Sequence, residues 1–224
     1  MKKFTHINQH VEPLKAETTA KGRFYTSPTG VKYPSVTTVL GFRKPKGLVE
    51  WQNKVGKEVA QSIGETSARR GTRIHNICEQ YLRNQLSDRR KLMPDIKESL
   101  KNLEPTLDRI DNIRLIEAAL FCHKLKMAGR SDIIGEFDTV PSIIDFKTSL
   151  REKHEDYILD YFLQATAYAL MYNRMFKDDI RQIVIIIQCD DMIEPQVFVK
   201  KIDEYIDRLY LKIIDYWKHN KGIE

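Results

Sequence analysis

The spacing of apolar residues divides the chain into a helical first part and a strand-rich second part. Apolar residues recur at helical spacing from Leu48 to about Ile63 and from Glu65 to about Asn84, which predicts two consecutive helices. Before them, "RFYTSPTGVKYPS" has two β-favouring runs around a Pro-Thr-Gly turn and predicts a hairpin. A short helix is then expected in "VTTVLGF", and prolines punctuate a further helical stretch around residues 94–105.

The pattern changes at Ile113. The stretch "IRLIEAALFCHKLKMAGRSDIIGEFDTVPSIIDFKTS" predicts three strands, with breaks at Ala128-Gly129 and at Asp138 to Pro141. A long helix from about Asp156 to Met175 precedes the β-branched run "RQIVIIIQCD", which is typical of a central strand covered on both faces. The last thirty residues predict an amphipathic helix. This order predicts an α/β fold in which helices flank a central mixed sheet, and a helical crossover leads into the fourth strand.

The length of 224 residues suits one domain, with a mainly helical part and its hairpin over residues 1–112 and an α/β core over 113–224. No apolar run approaches the roughly 20 residues that span a bilayer, so a membrane protein is not expected. The start "MKKFTHINQH" has no apolar segment of the kind that a secretory signal needs, so a cytoplasmic protein is expected. The three cysteines lie far apart without a CxxC pair, which predicts buried thiols rather than a zinc or iron–sulfur site.

The formal net charge of +6 favours a polyanionic partner. Much of the basic charge lies in the first hundred residues. Lys44 and Lys46 belong to a predicted loop, and Trp51 in the following helix offers a stacking surface for a single strand, as does Phe42. For Trp51, plain amphipathic packing is the alternative.

The stretch "SIIDFKTS" places charge inside an apolar run. Side chains two apart on a strand share a face, so Asp145 and Lys147 lie side by side. If the strand pairs with the preceding one through the intervening turn, Asp132 of "AGRSDII" converges on Asp145. Two convergent carboxylates suit a hard divalent cation such as Mg²⁺ or Mn²⁺. The alternative is a structural ion pair of Asp145 with Lys147 and a surface position for Asp132.

The predicted helix "RRGTRIHNICEQYL" carries a second group of polar residues. His75 and Glu79 are four apart and share a helix face, and a neutral imidazole is a ligand for Mn²⁺. A core or surface histidine is the alternative. The neighbouring Arg69, Arg70 and Arg73 are candidates for phosphate contacts.

The predicted crossover helix contains "FLQATAYALMY", in which Gln164 and Tyr168 stand four residues apart. Both side chains can lean toward the end of the sheet that holds Asp145, where they would bind a phosphate or hold Lys147. The alternative is an ordinary helix face with polar residues at its rim.

The segments "GTRIH", "GRSDII", "IIDFKTS" and "QATAY", in this order, resemble the PD-(D/E)XK nuclease superfamily and its RecB-like branch. With "YPSVTTVLGF" before them, the chain looks closest to the group of the mitochondrial genome maintenance exonuclease and its phage and bacterial relatives. The resemblance covers roughly Tyr33 to Asp190. Ser131 replaces the proline of the superfamily pattern, and Asp145 stands where many members have glutamate.

The resemblance implies a restriction-endonuclease-like core that binds one or two Mg²⁺ or Mn²⁺ ions and no iron–sulfur cluster. The implied metal ligands are His75, Asp132, Asp145 and the backbone carbonyl of Phe146. Lys147 is the implied catalytic lysine, with Gln164 and Tyr168 in support. Glu79 and Glu117 are further candidates that either reach the metal or face solvent.

The function implied by the resemblance is hydrolysis of DNA by an exonuclease that prefers single-stranded ends. The expected setting is the cytoplasm of a bacterium or phage-infected cell, alongside replication, recombination or repair proteins. Two other hypotheses stay open. One is a structure-selective or nicking endonuclease, and the other is a non-catalytic nucleic-acid-binding module on the same fold.

Overall fold

A computed structural model describes residues 2–7, 9–43, 46–86 and 88–220, with the side chain of Lys46 left out. The strands are β1 (Lys15–Thr19), β2 (Gly22–Thr26), β3 (Lys32–Pro34), β4 (Ile110–Cys122), β5 (Met127–Phe137), β6 (Val140–Ser149), β7 (Gln182–Cys189) and β8 (Gln196–Lys201). The α-helices are α1 (Val36–Leu40), α2 (Lys46–Val55), α3 (Lys57–Leu82), α4 (Pro94–Leu107), α5 (Leu159–Phe176) and α6 (Ile206–His219).

A five-stranded mixed sheet in the order β4-β5-β6-β7-β8 forms the centre. Strands β4 to β6 form an antiparallel meander, and α5 crosses over to β7, which pairs parallel with β6. The predicted α/β class is confirmed, and the arrangement is consistent with a restriction-endonuclease-like core. A separate antiparallel sheet of β1, β2 and β3 contains the predicted hairpin.

Apolar side chains alternate between the two faces of the central sheet. Along β7, Ile183 and Ile185 belong to a core shared with α1, α5 and α6, whereas Val184 and Ile186 belong to a core shared with α3 and α4. Burial on both faces explains why this strand is a continuous β-branched run. The second core also takes in Phe4 near the start of the chain.

The central sheet forks between β5 and β6. Their pairing runs from the turn, where Phe137 faces Val140, only as far as the pair Ile133 and Ile144. Beyond that point β5 stays paired with β4, while β6 continues along β7 as far as Ser149. The two strands therefore separate, and the residues that follow Ile144 on β6 and precede Ile133 on β5 lie at the mouth of this fork.

Some predicted element boundaries are wrong. The break between the two long helices falls at Gly56, which has a φ of +89°, so Gly64 lies inside α3 rather than between helices. Ala128 and Gly129 lie within β5, and the preceding turn spans residues 123–126. Strand β8 was not predicted, and the C-terminal helix is confined to α6.

The predictions for the first short helix and for the cysteines are confirmed. Ser35 caps α1 by accepting a hydrogen bond from the Thr38 amide. Cys78, Cys122 and Cys189 are all buried free thiols. Among the helices described, none combines the length and apolar character that crossing a bilayer would need.

Candidate active site

The mouth of the fork brings together the charged residues of β5 and β6. Because Ile133 pairs with Ile144, Asp132 and Asp145 occupy the next position on each strand. Asp145 is 2% exposed and forms an ion pair with Lys147. Asp132 accepts a 2.8 Å hydrogen bond from the Phe146 amide, which links the two branches of the fork.

The electrostatics of this group show an excess of buried negative charge. Burial and the neighbouring carboxylate of Asp145 raise the pKa of Asp132 well above its usual range. Burial alone would lower the pKa of Lys147, but the carboxylates of Asp145 and Asp132 outweigh it, so this pKa is raised. Lys147 is therefore a cation at neutral pH, and one ammonium between two carboxylates leaves the site favourable to a further positive charge.

A second set of ligand atoms surrounds Asp132. His75 on α3 places its Nδ1 atom 3.4 Å from Asp132 Oδ2. Glu117 on β4 completes a cluster in which one donor atom from each of His75, Glu117 and Asp132 lies within 4.8 Å of the others. One imidazole nitrogen and two carboxylates form a donor set that fits Mn²⁺ or Mg²⁺.

The backbone of Glu117 is unusual for a strand. Its neighbours pair as Ile116 with Ile133 and Ala118 with Ser131, so Glu117 lies opposite Asp132. Its φ of +54° is in the left-handed region, which costs a residue with a side chain of the order of 1–3 kcal/mol and recurs at functional sites. Burial raises the pKa of Glu117, and Arg130, whose Nη1 lies 3.7 Å from Glu117 Oε2, opposes that rise.

The cluster of potential ligands does not coincide fully with the ligand set that the resemblance implies. His75 and Asp132 lie together as expected, and the third residue of the cluster is Glu117. The Asp145 carboxylate forms an ion pair with Lys147, and the Phe146 amide donates a hydrogen bond to Asp132. Glu79 lies nearby but accepts a 2.8 Å hydrogen bond from Arg83.

Gln164 and Tyr168 lie together on α5, as their spacing predicts. Gln164 donates a 3.2 Å hydrogen bond to the Tyr168 hydroxyl. The Tyr168 ring is buried against β5, where a Cβ atom on Gly129 would lie 2.7 Å from the ring atom Cε1. Gly129 therefore allows this tyrosine to pack against the backbone of the strand that carries Asp132.

Tyr161 was missing from the residues predicted for the site. Its ring lies 5.2 Å from Lys147 Nζ, a cation–π distance. Its position three residues before Gln164, on the same face of α5, is a signal in the sequence that could have identified it. The aromatic ring and the Asp145 carboxylate together restrain the Lys147 ammonium group.

A cavity of about 410 Å³ opens beside the cluster and is called the α3 cavity here. Its lining comes from one face of α3, including His75 and Glu79, and from Glu117 and Arg130 across the gap. Gly71 forms part of the wall, and a Cβ atom there would lie 3.5 Å from Thr148 Oγ1, so α3 passes close to β6. The cavity gives an extended ligand direct access to the cluster.

The arginines predicted to contact phosphate have different surroundings. Arg70 forms an ion pair with Asp190 and donates a 3.1 Å hydrogen bond to the Ser149 carbonyl, so it ties α3 to the ends of β6 and β7. Arg73 Nη1 lies 3.0 Å from Asp95 Oδ2, whereas Arg69 is exposed.

The other predicted nucleic-acid contacts lie in and around α2. Trp51 on α2 is 37% exposed, which leaves room for stacking. Phe42 packs edge-on against Tyr216 at 5.4 Å. Lys44 lies outside the described residues, and Lys46 is the first residue of α2.

No family model and no curated protein sequence matches the chain. Among solved structures, it is similar to the crystal structure of SSO0001, with 16% sequence identity and a TM-score of 0.39 over 81% of this chain and 74% of the other. It is also similar to a "putative exonuclease" from Eubacterium rectale, with 11% identity and a TM-score of 0.44 over 71% of this chain and 69% of the other. Likeness at this level says nothing about activity, so a function for this chain has to be argued from its own residues.

Proposed function

We propose that the protein is a divalent-metal-dependent deoxyribonuclease that hydrolyses phosphodiester bonds, and that it acts as an exonuclease on single-stranded ends. One observation carries the proposal: the cluster of His75, Glu117 and Asp132 adjoins the buried Asp145–Lys147 pair at the mouth of the fork. A metal site beside a restrained ammonium group can activate a water molecule and stabilise the charge that develops during phosphodiester hydrolysis.

His75, Glu117 and Asp132 are the residues that would hold the ion, with Asp145 close behind them. A bound Mg²⁺ or Mn²⁺ ion would polarise a phosphoryl oxygen and lower the pKa of a coordinated water. The hydrogen bond from the Phe146 amide fixes the Asp132 carboxylate, so that this ligand is oriented before any ion arrives.

Lys147 acts as a cation in this scheme rather than as a general base. Its pKa is raised because two carboxylates outweigh the effect of burial, so it keeps its proton at neutral pH. Its ammonium group would orient the attacking water and stabilise the negative charge that develops on the phosphate oxygens. Asp145 keeps this cation in place.

DNA as the substrate is supported by the net charge of +6 and by the motif resemblance, and action from an end rests on that resemblance alone. A role in replication, recombination or repair in a bacterial or phage-infected cell belongs to the same proposal. The competing hypotheses remain a nicking endonuclease and a binding module without activity.

The test is digestion of linear single-stranded DNA, labelled at either end, beside a closed single-stranded circle and an RNA strand of the same sequence. Each substrate is incubated with Mg²⁺, Mn²⁺ or EDTA. Lys147→Ala is compared with Lys212→Ala, which removes a lysine that faces Asp160 from α6 and lies outside the cluster.

Metal-dependent loss of the linear DNA alone, abolished by Lys147→Ala and kept by Lys212→Ala, is the expected result. Cutting of the circle would replace the exonuclease with an endonuclease. Binding without cleavage in either metal would leave a nucleic-acid-binding module, and equal activity of both variants would remove Lys147 from the mechanism.

A further inference from the structure

A second cavity, of about 420 Å³, lies along the edge strand of the central sheet and is called the β4 cavity here. Residues 114–119 of β4 form one side. N-terminal residues that include Gln9 and Val11 form the other. The Ile7 amide donates a backbone hydrogen bond to the Ile113 carbonyl, and the Ile113 amide donates one to the Thr5 carbonyl. A 2.7 Å hydrogen bond from the Tyr172 hydroxyl to Gln9 also holds the N-terminal segment there. Such a volume is within the range of small-ligand sites.

The β4 cavity adjoins the candidate metal centre. Glu117 and Arg130 line both this cavity and the α3 cavity, so the two spaces meet at these two side chains. The β4 cavity therefore lies directly beside the candidate metal centre.

The two cavities differ in charge. Glu117 and Arg130 belong to both linings; the α3 cavity adds the acid Glu79, whereas the β4 cavity adds Arg83 and Arg114. Of the acidic residues in the described ranges, only Glu117 lines the β4 cavity. An acidic metal-binding cavity next to a basic one matches a polyanion that has one phosphate at the metal and the next phosphate beyond it.

Two of these three arginines are already engaged by the protein. Arg83 donates to Glu79 and to the Ile116 carbonyl, at 2.8 and 3.2 Å. Arg114 forms an ion pair with Asp178 and donates to the Tyr172 hydroxyl. Their hydrogen bonds fix them as part of the wall, and the carboxylate partner of each offsets its charge.

Arg130 differs from both. Its side chain is 47% exposed, and within the part of the chain that the structure describes its charged partner is Glu117 at 3.7 Å, beyond hydrogen-bond distance. A guanidinium has five N–H donors arranged as a fork that matches two phosphate oxygens. Arg130 therefore has unused donors at the junction of the cavities.

We propose that the β4 cavity binds the phosphate next to the scissile one on the same DNA strand, and that Arg130 donates hydrogen bonds to it. This inference rests on the proposed nuclease function and adds a binding subsite to it. Because Glu117 faces both Arg130 and the metal-ligand cluster, an ion that engages this carboxylate weakens its hold on Arg130. The contribution of Arg130 to DNA binding is thus greater with a divalent ion than without one.

The experiment measures binding of a fluorescent single-stranded 12-mer by anisotropy, in EDTA and in Ca²⁺, at several salt concentrations. Arg130→Gln is compared with Arg90→Gln, which removes the same charge from a side chain that is 88% exposed and forms an ion pair with Asp88, two residues before it. A series of 12-mers, each with one phosphate replaced by a neutral methylphosphonate, locates the contact. Urea unfolding establishes that both variants fold.

In Ca²⁺ we expect Arg130→Gln to bind about tenfold more weakly than Arg90→Gln, as the loss of a charge-assisted hydrogen bond predicts. The slope of log affinity against log salt should fall by about 0.7 for one lost phosphate contact on a single strand. One methylphosphonate position should weaken the wild-type protein and have no further effect on Arg130→Gln.

Binding of Arg130→Gln within twofold of Arg90→Gln, or an equal methylphosphonate effect in both proteins, would overturn the subsite. Cleavage assays on the same strands separate this failure from that of the nuclease proposal. A wild type that cleaves while Arg130→Gln binds normally removes only the subsite. If the wild-type protein never cleaves but shows the phosphate position that depends on Arg130, only the nuclease proposal is rejected.

Discussion

The stability cost of the Glu117 backbone conformation can be measured separately from the proposed role of its carboxylate in metal binding. Its φ of +54° lies in the left-handed region. A residue with a Cβ atom adopts this conformation at a cost of about 1–2 kcal/mol, which glycine avoids. Glycine in turn loses about 0.5–1 kcal/mol more conformational entropy on folding. Taking the middle of each range, Glu117→Gly should be more stable than Glu117→Ala by roughly 0.7 kcal/mol in metal-free buffer. This corresponds to a difference of about 2 °C in melting temperature for a chain of this size.

The same pair of variants tests whether Glu117 is a metal ligand. An ion present at a hundred times its dissociation constant stabilises the wild-type protein by about 2.7 kcal/mol. If losing the carboxylate weakens the ion's affinity about a hundredfold, the same concentration stabilises either variant by only about 0.4 kcal/mol. Both variants should therefore lose most of the metal-dependent stabilisation, although they differ in stability without metal.

The assay is urea unfolding followed by circular dichroism, with EDTA or increasing Mn²⁺. Glu79→Ala is the matched control, because Glu79 lines the same cavity, is bound to Arg83 and lies outside the cluster. We expect this control to keep most of the Mn²⁺ effect. The reasoning is refuted if the glycine variant is no more stable than the alanine variant in EDTA, or if either keeps the full wild-type response to Mn²⁺.

Three further outcomes are expected. Gly129→Ala should lower the free energy of unfolding in urea by about 1–3 kcal/mol, because the new Cβ atom collides with the buried Tyr168 ring. A smaller loss when Tyr168→Leu is also present would confirm this cause, and equal losses would exclude it. Tyr161→Leu should lower kcat/KM for cleavage about fivefold through loss of the cation–π contact with Lys147, while Tyr161→Phe stays within twofold of wild type. The hydrogen bonds from Arg89 hold the pKa of the Glu104 carboxyl below its usual range. The carboxylate therefore stabilises the fold at pH values above the ordinary glutamate pKa of about 4.3. This stabilisation is lost as the pH falls through the lower pKa of the folded state. Glu104→Gln should then lose less stability than wild type between about pH 5 and pH 3, and parallel losses would argue against this.

Burial on both faces made the central strands predictable. The apolar run of β7 could be assigned because its residues have no polar face. Strand β8 could not be, because it is an edge strand with half-buried and exposed residues that runs directly into the C-terminal helical segment. The apolar pattern also could not locate the break between α2 and α3. Gly56 and Gly64 are both possible break points, and only Gly56 has a positive φ in the fold.

The candidate site could be predicted only where strand alternation controls it. Alternation and one hairpin predict that Asp132 approaches Asp145 and Lys147. They do not predict the pairing with β7 that holds Asp145 and Lys147 beyond the hairpin. The position of the Glu117 carboxylate depends on the left-handed backbone of Glu117 itself in the middle of β4, and no periodicity of the sequence indicates this conformation. The unused donors of Arg130 depend on its surroundings in the two cavities, so the spacing of residues along the chain cannot predict them.

The fork has a consequence for when the site forms during synthesis. The β6 residues beyond Ile144 are held by pairing with β7, and β7 is separated from them in the chain by the whole of α5. A nascent chain that has emerged only to Ser149 thus contains His75, Glu117 and both aspartates, but lacks the strand that aligns Asp145 and Lys147. Asp145 and Lys147 can therefore reach their final arrangement only after the chain has passed Cys189, later in synthesis than β4 and β5 become available to pair.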